Sequence, residues 1–150
     1  MVAAARLAAA VLVFACATPR PGAGQSEGTG HIKTSSGAAF ILRHNDSLPA
    51  TAGDVVYESD GLKTGADGHL GVTLKDDTRL SLDPNTEVQL HSFVYAPAER
   101  RFGFVLKVVR GVVAYVSGRI AQFAPDAIHL ETPDGILGIR GTRLVIRVQP

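Results

Sequence analysis

The sequence is poor in sulfur and has no tryptophan. Its 150 residues contain a single cysteine, Cys16, and a single methionine, Met1. One cysteine cannot form a disulfide within the chain. None of the five histidines lies at a metal-ligand spacing from another, so we predict neither a metal site nor a cofactor. The histidines are His31, His44, His69, His91 and His129.

The chain also lacks an excess of charge of either sign. The formal net charge is +1, from 15 basic and 14 acidic residues. Removal of an N-terminal leader that contains Arg6 would leave equal numbers of each sign. A neutral chain has no general electrostatic attraction to nucleic acid or to an anionic membrane surface, so we predict no nucleic-acid partner.

Familiar catalytic motifs are missing. Ser117-Gly118 lacks the flanking glycine of a nucleophile elbow, and residues 60–64 have too few glycines for a phosphate loop. Asp76 and Asp77 are paired acids, but adjacent residues at the end of a strand point apart instead of converging in a cleft. The sequence therefore predicts a protein that is not an enzyme.

No apolar run is long enough to cross a membrane. The longest, Leu7 to Ala15, has nine residues and would span roughly 13 Å as a helix, against ~30 Å of hydrocarbon. With Arg6 before it, this run predicts an export signal at residues 1–15. A flexible linker would follow to residue 29, since residues 17–29 contain three glycines, two prolines and no large apolar side chain.

The end of the signal permits two kinds of processing. The segment 13–16, Val-Phe-Ala-Cys, resembles a bacterial lipobox, in which the cysteine becomes the lipidated first residue of the mature protein. Cys16 would then be the only membrane contact, and Ala17 after it favours the outer membrane by the same resemblance. The alternative is cleavage after Ala17, which would release a soluble periplasmic protein.

Residues 30–150 alternate between apolar and polar positions, with frequent turns. Asp76-Asp77-Thr78 predicts a hairpin, and Arg110-Gly111 a tight connection between strands at 102–108 and 112–116. In the second of these strands Val112, Ala114 and Val116 form one alternating set. We predict a single all-β domain of short, mostly antiparallel strands that forms a sandwich or a β-roll.

In this order, the segments resemble the FecR domain, the periplasmic module of bacterial iron-citrate-type sensors and of many exported proteins. The resemblance covers roughly residues 53–148 and implies a β fold and an exported location. Asp77 replaces the usual glycine of the central hairpin, and Leu144 replaces a usual phenylalanine. The similar segments are 53–56, 62–65, 68–74, 76–82, 85–88, 110–116, 131–133 and 139–146.

A complete sensor of that family also carries a cytoplasmic segment, a membrane-spanning helix and a C-terminal part that meets a transporter. This chain has a signal sequence in place of the first two, and it stops at Pro150. We therefore expect that it is not a complete transmembrane anti-sigma regulator.

The residues of interest are structural or belong to a surface. We expect Gly65, Gly111 and Gly141, which precedes Thr142, to allow close approach or positive φ. Arg143 and Arg147 should share one strand face and, with Arg140, form a possible partner surface, or else a solvated face paired with acids. A strand at 143–148, if it is an edge, could accept a strand from a partner.

These features favour a non-enzymatic binding or assembly module of the envelope, with an envelope protein or glycan as partner. A sensor subunit that acts with separately encoded partners is the alternative, and an enzyme comes third. The first two differ in what co-purifies: structural proteins or glycans against a transporter or a membrane-spanning regulator. An enzyme would require a pocket with convergent titratable groups.

Overall fold

A computed structural model describes residues 27–149 of the chain. The predicted signal at 1–15, Cys16 and most of the linker lie outside the described residues. Twelve strands, one short α-helix, α1 (Arg119–Phe123), and two 3₁₀ helices, Pro97–Glu99 and Pro125–Ala127, form the described part. The strands are β1 (Gly30–Ser36), β2 (Ala39–Arg43), β3 (Asp46–Pro49), β4 (Val55–Val56), β5 (Gly61–Thr64), β6 (His69–Leu74), β7 (Arg79–Leu82), β8 (Glu87–Ala96), β9 (Arg101–Val116), β10 (Ile128–Thr132), β11 (Gly135–Gly138) and β12 (Arg143–Val148).

The strands form one continuous curled sheet with two halves that share β9. The order along the main path is β3-β2-β5-β8-β9-β7-β6-β1-β4. Off this path, β9 also pairs with β10 along residues 104–107 and with β12 along residues 111–116. All pairs are antiparallel except β9 with β10. The prediction of an all-β domain of mostly antiparallel strands is confirmed.

Alternation places one face of each strand in a common core. In β6, Leu70, Val72 and Leu74 are at most 2 % exposed, whereas His69 is exposed. The hairpin predicted at Asp76 to Thr78 joins β6 to β7, with Thr73 opposite Arg79. Both halves of the sheet contribute side chains to the same core, which is why the sheet curls instead of staying flat.

The tight connection predicted within residues 102–116 was wrong. Arg110-Gly111 is not a turn but a bend inside one strand, β9. Val113 and Tyr115 are fully buried, whereas Val112, Ala114 and Val116 are only partly so. Before the bend even-numbered residues such as Phe104 face the core, so the alternation changes phase at the bend.

Gly111 is the physical cause of this change. Its φ is +93°, a conformation that L side chains rarely adopt. The strand pairs with β8 up to Arg110, and from Val113 with β7. The register also shifts next to this point, between Glu87 and Val88 of β8. A bend that carries one strand from one half of the sheet to the other therefore replaces the reversal that the sequence predicted.

Within residues 27–149, no helix has the length and apolar character needed to cross a membrane.

Candidate partner-binding surface

The last strand, β12, is an edge of the sheet. Within the described residues it pairs with β9 alone, from Arg143 opposite Val116 to Val148 opposite Gly111. Its far side therefore presents backbone N–H and C=O groups without a partner strand. Such an edge is a template on which another strand can pair.

The outward face of β12 carries charge around one apolar side chain. Arg143, Val145 and Arg147 are exposed, and Val145 is 62 % exposed. Ile146 and Val148 point into the core and are at most 8 % exposed. The alternation thus places Arg143 and Arg147 on one face, on either side of Val145.

Arg140 does not belong to this face. It lies in the loop before β12, where its Nη2 is 3.3 Å from Oδ1 of Asp126, and both side chains are 83 % exposed. Within the described residues neither Arg143 nor Arg147 makes a salt bridge. The two arginines on the strand are therefore the cations of the predicted set that a partner could neutralise.

The loop before β12 is tied to the end of β9. The carbonyl oxygen of Thr142 accepts hydrogen bonds from the backbone N–H of Ser117, at 2.9 Å, and from its hydroxyl, at 3.4 Å. Gly141 has a φ of +149°, and no atom lies within 4 Å of where its Cβ would be. Thr142 therefore fixes the start of the edge strand, while the space beside Gly141 is open.

A second exposed edge was missed by the sequence analysis. Among residues 27–149, β11 pairs only with β10, and all four of its residues are exposed. Ile136 is 67 % exposed and Leu137 is 47 % exposed. The signal was present as two large apolar residues between Gly135 and Gly138, but a four-residue segment is too short to indicate which face is buried.

Asp76 and Asp77 hold α1 against the sheet and do not converge. The buried carboxylate of Asp76 accepts hydrogen bonds from the hydroxyl of Thr78, at 2.7 Å, and from the N–H of Ile120, at 3.2 Å. Its carbonyl accepts the N–H of Arg119 at 2.7 Å. Asp77 lies at a positive φ of 68°, with its carboxylate 3.1 Å from Nε of Arg119. This geometry anchors the helix so that Ile120, 1 % exposed, joins the core.

Gly65 and Gly111 both lie where the backbone approaches a neighbour closely. A Cβ at Gly65 would lie 2.9 Å from Cβ of Ala38. A Cβ at Gly111 would collide with Thr86. The Thr86 hydroxyl is itself used at the bend, since it accepts the N–H of Val112 at 3.0 Å. Both glycines therefore make close contacts inside the domain, and these contacts do not involve a partner surface.

An ion pair that the sequence analysis did not predict joins β2 to the turn before β5. Arg43 donates from Nε and Nη2 to the two carboxylate oxygens of Asp60, at 2.9 and 2.6 Å, and the Asp60 side chain is 3 % exposed. Asp60 also accepts the N–H of Tyr57 at 2.8 Å, while the Arg43 guanidinium lies 4.6 Å from the centre of the Tyr57 ring. The hydrogen bonds to Asp60 raise the pKa of Arg43. The partners are mutually satisfied, as in a structural clamp.

No group of three or more His, Cys, Asp or Glu side chains in residues 27–149 is placed to hold a metal ion. Among known proteins, a family model described as FecR protein matches residues 60–150, more than half of the chain. No curated protein and no solved structure matches the chain. The matched segment begins at Asp60 and contains β5 to β12, and with them the bend of β9 and the open edge.

Proposed function

From the premise that the chain belongs to the FecR protein family, we propose that it is a non-enzymatic binding or assembly module of the cell envelope. Members of this family are associated with the periplasm and the envelope, and the family is known for signalling regulators rather than enzymes. The domain would act by holding a partner, not by converting a substrate.

The observation that carries this proposal is the open edge of β12. A partner strand added there would form backbone hydrogen bonds along the strand, and its side chains would meet Val145 and the two flanking arginines. Neither arginine is neutralised within the described residues, so an acidic protein segment fits this edge better than a basic one. An open edge favours a protein over a glycan, since only a protein offers a matching ladder of amides.

The location that we propose for the domain rests on the predicted leader and lipidated cysteine. A signal at 1–15, a lipid on Cys16 and a linker to residue 29 would hold residues 30–150 near the membrane and leave them free to meet envelope proteins.

A photo-crosslinking residue in place of Val145 tests the binding surface in intact cells. We expect a discrete crosslinked protein, which the double variant Arg143→Glu/Arg147→Glu should diminish, because it reverses the charge of the surface. The matched control is the same probe in place of Leu48, an apolar residue 40 % exposed on a different edge strand, β3. Equal crosslinking at both positions, or no effect of charge reversal, would contradict the proposal.

Family membership also supports a second function, that of a sensor subunit acting with separately encoded partners. The identity of the protein crosslinked at position 145 separates the two functions. A structural envelope protein supports the assembly module, whereas a transporter or a membrane-spanning regulator supports the sensor.

A further inference from the structure

A cavity of about 320 Å³ lies at the bend of β9, beside the end of β12. The turn between β7 and β8 forms one wall, and the end of β12 forms another. Its lining includes two cations, Arg110 and Arg147, and three apolar residues, Pro84, Val112 and Val148, of which Val148 turns its side chain to the core. Because Arg147 pairs with Val112 and Val148 with Gly111, the register of β12 on β9 builds this site.

The guanidinium groups of Arg110 and Arg147 lack hydrogen-bond acceptors within the described residues. Within the described residues Arg147 makes no salt bridge, and no side-chain hydrogen bond of Arg110 is found. The nearest carboxylate oxygen to Arg110 is Oε2 of Glu87, 3.7 Å from Nη2, which is beyond hydrogen-bond distance. Nε of Arg110 is buried, and it has no hydrogen-bond acceptor among residues 27–149. A buried donor that lacks an acceptor is unfavourable until an acceptor is supplied.

We propose that this cavity binds a small organic carboxylate with a short apolar group. A planar guanidinium matches the two oxygens of a carboxylate, and two guanidiniums outweigh the single negative charge of Glu87. Pro84 and Val112 offer the apolar part of the ligand a surface away from water. An inorganic anion would use the charges and leave that surface without a contact.

The test is a titration of the purified protein with hexanoate, followed by the amide signals of Gly111, Val112 and Val148 in NMR spectra. Hexan-1-ol and hexylamine have the same alkyl chain without the negative charge, and inorganic phosphate has the charge without the alkyl chain. We expect saturable shifts with hexanoate and binding at least about tenfold weaker for each of the other three probes.

The strand provides a matched pair of variants. Arg147→Gln should weaken hexanoate binding about tenfold, because Arg147 lines the cavity. Arg143→Gln, four residues earlier on the same exposed face, should change it less than about twofold. Both residues are exposed, so neither variant disturbs the core. Absence of binding, equal effects of the two variants, or equal binding of phosphate or hexylamine would overturn the proposal.

Discussion

At the scale of single residues, Tyr115 combines complete burial with a hydroxyl that lacks a partner. The ring is 0 % exposed and stacks on Phe104 with its centre 6.3 Å away. Within the described residues its hydroxyl makes no hydrogen bond. Burial, with a smaller contribution from the negative charge of Asp76, raises the pKa of Tyr115 to about 12; the nearby Thr78 hydroxyl opposes this rise, but it does not satisfy the tyrosine hydroxyl and donates instead to Asp76. The neutral side chain is therefore the form that the core accommodates.

We expect Tyr115→Phe to raise the free energy of unfolding by up to about 1 kcal/mol near neutral pH, since it removes a buried polar group without a partner. The pH dependence should change as well. Between about pH 10 and pH 12 the unfolded chain loses the tyrosine proton while the folded chain keeps it, so stability falls as pH rises. The limiting slope is about 1.4 kcal/mol per pH unit.

Urea unfolding at a series of pH values from 8 upward measures this effect. The phenylalanine variant should lose less stability above about pH 10 than the parent protein. Tyr57 and Tyr95 are present in both proteins and serve as an internal control. Parallel stability curves would contradict the assignment of the slope to Tyr115.

The clamp between Arg43 and Asp60 makes a second prediction at this scale. Asp60→Asn should lower the free energy of unfolding by about 3 kcal/mol, because one partner of a nearly buried ion pair is removed. Since the Arg43 side chain is 27 % exposed and can be partly solvated, we expect a loss at the lower end of what removing one partner of a buried ion pair usually costs.

Asp126→Asn is the matched control, because Asp126 also pairs with an arginine, Arg140, but both side chains are exposed. Its effect on urea unfolding should be close to zero. Equal losses in the two variants would show that burial of the carboxylate does not determine the effect.

Single residues were unevenly predictable from the sequence. The common face of Arg143 and Arg147 follows from strict alternation along one strand. The ion pair of Arg43 and Asp60 could not be predicted, since the two residues are 17 positions apart and meet only through tertiary folding. The same holds for Arg110 and Arg147, whose cavity exists because β12 pairs with β9.

At the scale of elements, the hairpin between β6 and β7 was predictable and the course of β9 was not. Asp76 to Thr78 supply turn chemistry between two strands with one polar face each. In residues 102–116 both alternating sets are largely apolar, so the pattern does not reveal which set is buried. Gly111 was recognised as unusual, but a bend and a turn require the same backbone freedom.

Gly111→Ala should lower the free energy of unfolding by at least about 2 kcal/mol. The variant places a side chain at a φ of +93° and against Thr86, whose hydroxyl holds the bend. Urea unfolding monitored by circular dichroism measures the loss, and a variant that fails to fold meets the expectation.

Gly103→Ala, in the same strand, is the control. A Cβ at Gly103 would lie 3.8 Å from the nearest atom, which is ordinary contact distance. We expect a change within about 0.5 kcal/mol. A loss similar to that of Gly111→Ala would show that the strand tolerates no added side chain, whatever its backbone conformation.

At the scale of the whole molecule, the fold class and the family could be predicted from the sequence. Short alternating segments follow one another along the chain, and turn residues separate them. This pattern predicts short strands around one core. Which strands are neighbours could not be predicted. The pairing of β9 with four different strands depends on long-range contacts, and single-strand patterns carry no information on them.

The mode of attachment to the envelope is a prediction for the intact protein. Mass spectrometry of the mature N-terminus should find Cys16 as the first residue, carrying two or three acyl chains. Cys16→Ser should abolish the lipid and release the protein from the membrane fraction. An unmodified Thr18 at the N-terminus would contradict lipidation and leave the β domain unaffected.

The position of β9 has a consequence for how the chain acquires its structure. The two halves of the sheet are joined through this one strand, yet β7 precedes it and β12 follows it by many residues. The strands that precede β9 belong to both halves, but no ladder of hydrogen bonds joins the halves until β9 pairs with β8 on one and β7 on the other. The complete sheet therefore requires the chain through residue 116, so its two halves gain their hydrogen-bonded connection late in the order of the sequence.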